Sequence, residues 1–340
     1  MNPNQPITGY ELNELEEICL KSGETKYTAK QIMDWIYKKG AASFESMTNL
    51  SIKSRSNFSG RFAINSSHIK ETLTSFDGTN KFIIELADKL CVECVLISED
   101  NRLTLCISTQ VGCPVKCKFC ASGQKGLIRS LHTNEIVEEV LLVKRSIKDK
   151  GLNIVVMGMG EPFLNYDNLI KALKIITAGW GMGIGKNRIT VSTIGLPDKI
   201  EQFAGEPVAT NLAISLHSPN DEIRAKIIPM AKKATIKEII QSVKKYHQIT
   251  RKDITFEYLM IDELNSDEIS ANELAKLIKD TGGKINLIPY NEVKGLSYKT
   301  PLLAAVMKFQ NILRSAGLIA MIRKSKGQDI GAACGQLLLK

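Results

Sequence analysis

The chain has 340 residues, 44% of them hydrophobic and 24% charged, so it is long enough to bury a large core. No apolar stretch reaches membrane-spanning length, residues 1–10 lack the basic and apolar regions of a signal peptide, and eight cysteines are too few for a secreted disulfide scaffold. We therefore expect a cytoplasmic globular protein that makes no membrane contact, with cysteines that serve metal binding or catalysis.

The net charge of +9 is unevenly distributed along the chain. Residues 1–85 hold 10 Lys and Arg against 10 Asp and Glu, which leaves 35 against 26 for the other 255 residues. A basic main domain favours a polyanionic partner such as RNA, bound with a steep dependence on salt. Solubility alone is the other interpretation of this charge.

The first 85 residues have the pattern of a small, mainly helical accessory domain. Thr28 is a suitable N-cap for the second of its helices, and Gly40 is a suitable stop. A hairpin with turn residues Gly78 and Asn80 is predicted at 72–86 and leads into the main domain. The three helices that the apolar spacing predicts cover residues 11–21, 29–38 and 49–62.

The predicted main domain covers residues 86–340, and from residue 103 onward short β-branched runs alternate in it with helical patterns. Such alternation implies parallel strands with crossover helices, here a partial (β/α)6 barrel of the α/β class. A doubly wound open sheet is the alternative. The predicted strands cover residues 103–108, 153–157, 188–192, 211–216, 254–259, 284–288 and 319–323, and the helices 133–145, 166–178, 196–203, 235–247, 267–280 and 302–315.

Polar, small and sulfur-bearing residues follow one predicted strand after another. In a β/α barrel the carboxyl ends of the strands meet at one mouth, where reactive groups gather. Five such placements along one chain are difficult to attribute to chance, although single loops of this kind are common. The residues are Cys113, Cys117 and Cys120 after the first strand, Gly158 to Pro162 after the second, Ser192 and Thr193 at the third, Ser215 to His217 at the fourth, and Tyr290 and Asn291 at the sixth.

Cys113, Cys117 and Cys120 have the spacing CxxxCxxC. Structural zinc sites take four protein ligands, whereas four-iron clusters are commonly held by closely spaced cysteines. Three thiolates around an iron-sulfur cube would leave one iron open as a binding position. A zinc or disulfide set is the alternative interpretation.

The turn after the second strand, Gly158-Met-Gly160-Glu161-Pro, predicts a ligand contact. Its glycines let the backbone approach a ligand closely, and Glu161 offers a carboxylate to an ammonium group. An ordinary strand-to-helix turn is the alternative. His217 is either a loop histidine satisfied by its neighbours or a contact to a ribose or carboxylate.

Cys334 lies among tiny residues close to the end of the chain. With Arg323, Lys324 and Lys326 nearby we expect a thiolate with a depressed pKa and high reactivity. A buried structural cysteine is the alternative. Cys106 is a second candidate thiol, and a transient disulfide between the two is possible.

In the order in which its motifs follow one another, from Glu93 nearly to its end, the chain resembles RlmN-type radical S-adenosylmethionine (SAM) methyltransferases. The segment around Trp35 also looks like the accessory domain of that family. The motifs that carry the resemblance are Cys113-x3-Cys117-x2-Cys120, Gly-Met-Gly-Glu161-Pro, Ser192-Thr-x-Gly195, Ser215-x-His217-x-Pro219, Tyr290-Asn291 and Asp329-Ile-x-Ala-Ala-Cys334-Gly-Gln336.

The resemblance implies a [4Fe-4S] cluster on the three cysteines, SAM as cofactor, and methylation of adenosine C2 in 23S rRNA and in tRNA beside the anticodon. One SAM methylates Cys334, and a radical formed from a second SAM removes hydrogen from that methyl group, which then adds to the base. Cys106 releases the product and leaves a disulfide, and Glu93 matches a proposed proton acceptor. The implied SAM contacts are Gly160, Glu161, Ser192, Ser215, Leu216, His217 and Asn291.

The resemblance further implies a flavodoxin-type electron donor and a monomeric enzyme. Two other functions stay open from the sequence. The related family that methylates adenosine C8 and confers antibiotic resistance has the same cysteines, although Glu161-Pro162 looks more like the C2 group. An iron-sulfur RNA-binding regulator without catalysis is the alternative from another class, and it would have no need for Cys334.

Overall fold

The computed structural model describes residues 5–99, 102–147 and 151–338. The N-terminal part begins with strand β1 (Gln5–Pro6) and ends with β2 (Phe62–Ala63), which pairs with β1 in parallel. Between them are three helices, α1 (Leu12–Lys21), α2 (Lys26–Tyr37) and α3 (Ile52–Ser59). The three predicted helices are confirmed, but the third is shorter than expected because its last residues turn into β2.

The predicted N-cap of α2 is wrong. Thr25 occupies the cap position with extended backbone, and Thr28 is buried inside the first turn, where its hydroxyl contacts that of Thr25 at 3.3 Å. Both threonines carry the hydroxyl that a helix N-cap needs and lie only three positions apart, so residue type alone does not separate them. Gly40 follows the helix with a φ of +70°, which glycine adopts without strain.

The rest of the described chain forms strands that alternate with helices after an initial antiparallel region. In chain order they are β3 (His68–Thr74), β4 (Asn80–Glu85), β5 (Cys91–Glu99), β6 (Arg102–Ile107), β7 (Gln110–Gly112), α4 (Ala121–Gln124), β8 (Leu127–Ser130), α5 (Thr133–Ser146), β9 (Leu152–Val156), α6 (Tyr166–Thr177), β10 (Ile189–Thr193), α7 (Pro197–Ala204), β11 (Asn211–Ser215), α8 (Asp221–Ile227), α9 (Ile236–Thr250), β12 (Ile254–Met260), α10 (Glu268–Ile278), β13 (Lys284–Pro289), α11 (Leu303–Ser315) and β14 (Ala320–Ile322).

Ten of these strands form one sheet, with the order β14-β13-β12-β11-β10-β9-β6-β5-β4-β3. The seven from β6 to β14 in this sheet run parallel and neighbour one another in chain order. A doubly wound sheet reverses its strand order at a switch point, and this sheet has no such reversal. Six strand-helix units followed by a seventh strand therefore confirm the partial (β/α)6 barrel.

The predicted hairpin is confirmed as β3 and β4, and with β5 it extends the barrel sheet in antiparallel fashion. Strands of the barrel are apolar because they are covered on both sides; Ile154 of β9 and Ile214 of β11, for example, are almost fully buried. Helices of the N-terminal part contribute Ile32 and Met33 to the same continuous core. The boundary at residue 85 stays a prediction.

A buried carboxylate on α5 holds the N-terminal part against the barrel. Glu138 accepts hydrogen bonds from the Thr8 hydroxyl at 2.7 Å and from the backbone N–H of Ser67 at 2.8 Å. A buried charge is tolerated when it is paired or hydrogen-bonded, and here several donors converge on one carboxylate. Within the described ranges, no helix is long and apolar enough to cross a membrane.

Candidate active site

A cavity opens at the carboxyl ends of the parallel strands, and we call it the site cavity. It brings together residues that are up to about 220 positions apart in the chain, from the loop after β7 to the segment after β14. Four predicted site residues do not line it, namely Leu216, Asn291, Glu93 and Cys106. The predicted site residues that line it are Cys113, Cys117, Cys120, Gly160, Glu161, Ser192, Ser215, His217 and Cys334.

The cysteine loop after β7 is fixed by its backbone. Gly112, just before the first cysteine, has a φ of +81°, and a Cβ there would lie 2.0 Å from the carbonyl oxygen of Gly126. The N–H of Lys118 donates to the carbonyl of Ile227 at 2.9 Å, which ties the loop to the end of α8. Phe119 packs its ring edge to face against His217, with centroids 5.1 Å apart. The loop is thus held in place by protein contacts alone.

The donor set of this loop fits an iron-sulfur cluster. All eight cysteines of the chain are free thiols, and no three His, Cys, Asp or Glu side chains in the described ranges surround a position for one metal ion. Ligands of a polynuclear cluster bind separate iron atoms, so they need not converge on one point. Burial raises the pKa of Cys113 to about 12 and also raises the pKa values of Cys117 and Cys120. The raised pKa values favour the protonated thiols. Cationic iron would favour the thiolates instead, because it stabilises their negative charge.

The glycines of the Gly158-Met-Gly160 turn are required by packing as well as by any ligand. A Cβ on Gly158 would lie 2.7 Å from the carbonyl oxygen of Ile107, and a Cβ on Gly160 would lie 2.7 Å from Cβ of Gln110. Gly160 has a φ of +107°, which side-chain-bearing residues rarely adopt. The glycines therefore let this turn pack closely against the end of β6 and the residues after it. The sequence pattern did not reveal this reason for the two glycines.

Glu161 is held with both carboxylate oxygens occupied by backbone donors. The N–H of Phe163 donates to one oxygen at 3.0 Å, and the N–H of Ile194 donates to the other at 2.9 Å. Burial raises the pKa of Glu161 to about 7, although these hydrogen bonds oppose the shift. A cationic ligand in the site cavity would favour the ionised form.

The hydroxyls of Ser192 and Ser215 face each other across neighbouring strands at 3.4 Å. The following residues, Leu216 and His217, are buried, and His217 has a φ of +58°. Its Nδ1 accepts the backbone N–H of Leu259 at 3.0 Å, so the imidazole proton lies on Nε2. Burial lowers the pKa of His217 to about 3. Neutral His217 therefore presents an N–H donor rather than a charge.

Asn291 holds the C-terminal segment, by which we mean residues 323–338. Its Nδ2 donates to the carbonyl of Cys334 at 3.2 Å, and its Oδ1 accepts from Ser325 at 2.5 Å and Gln328 at 2.8 Å. The amide is thus already engaged within the protein. Its role as a SAM contact stays a prediction, whereas its contact with the backbone of Cys334 is a feature that the sequence did not indicate.

The turn of the β3–β4 hairpin binds the C-terminal segment on another side. Asp329 accepts from the Ser75 hydroxyl at 2.5 Å and from the N–H of Phe76 at 3.3 Å. In return, Asp77 accepts the N–H of Gly327 at 3.0 Å. The loop that carries Cys334 is therefore fixed between the hairpin turn and the barrel.

Cys334 is exposed to the site cavity, and Arg323 lines the same cavity. The expected depressed pKa of this thiol is wrong: the surrounding protein raises the pKa of Cys334, and the opposing effect of Arg323 is smaller. Burial, followed by the proximity of Cys334, raises the pKa of Cys106 to about 12. Both thiols are protonated at neutral pH, so each must lose its proton during any reaction as a nucleophile.

Glu93 lies beside the site cavity rather than in its wall. It pairs with Lys81 at 3.2 Å and accepts the N–H of Leu338 at 3.0 Å. To serve as a proton acceptor for a substrate, its carboxylate would have to leave these partners. The geometry gives Glu93 a direct role in holding the C-terminal segment, and its proton-accepting role stays a prediction.

One residue that the sequence did not single out also lines the site cavity. Glu257 lies in β12, and its Oε2 is buried without a hydrogen-bond partner. Tyr290, which the sequence did single out, lines the cavity as well, and its hydroxyl is buried without a hydrogen-bond partner. A carboxylate within the mostly apolar strand Ile254–Met260 was the available signal for Glu257, because a charge inside a covered strand requires an explanation.

Comparisons with known proteins cover almost the whole chain. A family model described as Radical SAM superfamily matches residues 107–274, and one described as Ribosomal RNA large subunit methyltransferase N-terminal domain matches residues 6–64. A probable dual-specificity RNA methyltransferase RlmN from Dictyoglomus thermophilum is 43% identical over 97% of this chain and 96% of its own length. The protein of the same description from Thermotoga maritima is 43% identical over 94% and 93% of the two chains.

The crystal structure of a radical SAM methyltransferase from Sphaerobacter thermophilus has the same fold, with a TM-score of 0.94 and 37% identity over 98% of this chain and 99% of that chain. The three-cysteine loop and Cys334 lie in one cavity of this fold. The chain belongs to the RlmN family of radical SAM RNA methyltransferases, enzymes that use a [4Fe-4S] cluster and SAM.

Proposed function

We propose that this enzyme methylates carbon 2 of adenosine in 23S rRNA and in tRNA beside the anticodon, through a methyl group carried on Cys334. The observation that carries the proposal is that Cys334 and the three cluster cysteines line one cavity, although they lie far apart in the chain. The dual-specificity RNA methyltransferase relatives support the choice of RNA as substrate. Membership in a methyltransferase family argues against a regulator without catalysis.

Cys113, Cys117 and Cys120 would hold the cluster. When bound, the cluster and SAM supply the one-electron chemistry that activates the C–H bond of a methyl group. The chain's own part is to hold that methyl group as a thioether on Cys334, which is exposed to the cavity. Cys106 would then attack the sulfur of Cys334 and release the methylated base. This step leaves a disulfide between Cys106 and Cys334 that the cell must reduce with two electrons. A flavodoxin-type donor system would supply the electron that the cluster needs.

The proposed SAM contacts differ in their support. Gly160, Glu161, Ser192, Ser215 and His217 line the site cavity. Glu161 would accept from the amino group of SAM, and the neutral His217 would donate through Nε2. The cavity lining does not include Leu216 or Asn291, which would contribute through the backbone or after a change of the C-terminal segment. Either Glu93 or Cys106 would take the proton that C2 loses.

The test is anaerobic reconstitution of the protein with iron and sulfide, followed by reaction with SAM, a reductant and unmodified 23S rRNA. Digested nucleosides are separated by mass spectrometry against 2-methyladenosine and 8-methyladenosine standards. We expect 2-methyladenosine. Formation of 8-methyladenosine would assign the chain to the C8 reaction, and the absence of any methylated adenosine from a fully loaded enzyme would contradict the proposal.

We further propose that the enzyme is a monomer and that it acts in the cytoplasm.

A further inference from the structure

The site cavity contains a buried carboxylate that neither the cluster nor the proposed SAM contacts use. Glu257 is only 4% exposed, and it lies in β12 directly opposite Ser215 of β11 and Asn286 of β13. Its Oε1 accepts from Nδ2 of Asn286 at 2.9 Å, whereas its Oε2 has no partner. A buried oxygen without a partner is costly, so such an atom in a cavity wall suggests that a ligand completes its hydrogen bonding.

Arg323 provides the opposite charge in the same wall. It follows β14, and its backbone N–H donates to the carbonyl of Leu287 at 2.9 Å, which brings it next to β13. No hydrogen bond or ion pair of its guanidinium with a side chain is found in the described part of the chain. Its charge acts on both Glu257 and Cys334, because it opposes the increase in the pKa of each. The Glu257 carboxylate, which accepts hydrogen bonds, and the Arg323 guanidinium, which donates several, therefore share one part of the cavity with the thiol proposed to carry the methyl group.

We infer that Glu257 and Arg323 form a subsite for the amino-bearing edge of an adenine, and that the target adenine of the RNA occupies it. The inference rests on the function proposed above. The carboxylate oxygen would accept from the exocyclic amino group, and the guanidinium would donate to a ring nitrogen. This pairing selects adenine over guanine, which has a carbonyl oxygen instead of an amino group at carbon 6. Glu257 would thus be a specificity-determining residue.

SAM carries an adenine with the same edge, so it is the other source of this chemistry. The position of Arg323 beside Cys334 favours the target base, because the carried methyl group must reach that base. Glu161 and the cysteine loop, which are proposed to hold the amino acid end of SAM, come from other strands. The experiment separates the two sources.

The first arm uses the wild-type holoenzyme and two RNA hairpins that differ only at the target position, with adenosine in one and purine riboside in the other. Purine riboside lacks the exocyclic amino group. We expect kcat/KM for methyl transfer to fall by about 10- to 100-fold with purine riboside, because the carboxylate is left unpaired. Equal values for the two RNAs overturn the inference without the need for any variant. Absence of activity on the adenosine RNA would instead contradict the proposed function.

The second arm uses Glu257→Gln, with Glu273→Gln as the matched control, since Glu273 is exposed on α10. The glutamine amide has the same shape as the carboxylate. If its oxygen keeps the hydrogen bond from Asn286, its NH2 group faces the amino group of adenine, and two donors then oppose each other. We expect Glu257→Gln to lose activity on adenosine RNA and to lose the preference for adenosine over purine riboside. The control should keep both.

Two further readouts identify the source of the adenine. Binding of radiolabelled SAM and the methylation of Cys334, seen as a 14 Da increase in protein mass, should be unchanged in Glu257→Gln. If both fall by the same factor as RNA methylation, the subsite receives the adenine of SAM, and the assignment to the target base is wrong.

Discussion

Lys81 and Glu93 form an ion pair at 3.2 Å, with side chains that are only 6% and 4% exposed. Nζ of Lys81 also donates to the carbonyl of Gly331 at 3.2 Å, and Glu93 accepts the N–H of Leu338 at 3.0 Å. The pair therefore contacts the C-terminal segment on both sides of Cys334. Two neighbouring antiparallel strands, β4 and β5, supply the two residues.

Lys81→Met should destabilise the protein by about 3–5 kcal/mol, because it leaves Glu93 charged, buried and without its partner. The released Gly331 carbonyl should also loosen the segment, so the amides of residues 331–338 should exchange faster with deuterium. Urea unfolding and hydrogen exchange measure the two effects. Lys70→Met is the control, since Lys70 is exposed and pairs with Glu85 at the surface. Equal stability of the two variants would contradict the role of the buried pair.

Cys334→Ala should abolish methyl transfer to RNA while SAM still binds, because it removes the proposed methyl carrier and leaves the other walls of the cavity intact. The protein should no longer gain 14 Da on incubation with SAM. Binding of labelled SAM and nucleoside analysis are the measurements. Methylated RNA from this variant would rule out the carrier mechanism. Cys91→Ala, at a thiol outside the site cavity, is the matched control.

Cys106→Ala should accumulate a covalent complex between the protein and RNA, since the thiol that releases the product is missing. Denaturing gel electrophoresis with labelled RNA should show a band that is resistant to heat and that disappears in Cys106→Ala/Cys334→Ala. If the single variant yields free, fully methylated RNA instead, Cys106 is not the resolving thiol.

Gly160→Ala should lower the stability of the protein by about 1–3 kcal/mol and weaken SAM binding. Its φ of +107° strains any side chain, and the new methyl group would lie 2.7 Å from Cβ of Gln110 and 2.8 Å from Oγ1 of Thr109. Gly179→Ala is the matched change, because no atom lies within 4 Å of a Cβ at that position. Thermal unfolding of the two variants should separate them clearly, and a shared midpoint would show that the turn adapts.

His217 should stay neutral from pH 8 down to pH 5, because burial lowers its pKa to about 3. Its imidazole resonances should not shift over that range. The unfolded chain takes up the proton near pH 6.5, so stability is lost as the pH falls from 6.5 toward 3, by about 2 kcal/mol between pH 6.5 and 5. His217→Asn, which tolerates the left-handed backbone, should reduce that loss. A titration of His217 between pH 5 and 8 would disprove this.

The sequence predicts most of the barrel because covered parallel strands are short apolar runs that end in polar turns. The second of them was expected at residues 153–157 and lies at Leu152–Val156. The three-cysteine loop and Cys334 could likewise be predicted as candidate site residues, since their chemistry is local to each motif. That they share one cavity follows from the order of the strands.

Relations between distant segments could not be predicted in the same way. Lys81 and Glu93 are twelve positions apart on two strands, and only the register of those strands, which pairs Ile83 with Glu93, makes them neighbours. The pKa of Cys334 was expected to be low from its basic neighbours in sequence, but desolvation by the protein around the cavity raises it and has the larger effect. Glu257 was overlooked because one acidic letter in an apolar strand does not reveal which group it faces.

The hydrogen bond between Ser75 and Asp329 spans 254 positions of the chain. During synthesis on the ribosome, almost three quarters of the polypeptide is therefore made between the hairpin turn and its partner Asp329. Contacts of such long range form late, since the loop that they close is large. The proposed methyl-carrying thiol is thus set in place at the end of folding, so a nascent chain with a finished barrel has not yet acquired the proposed reactive arrangement.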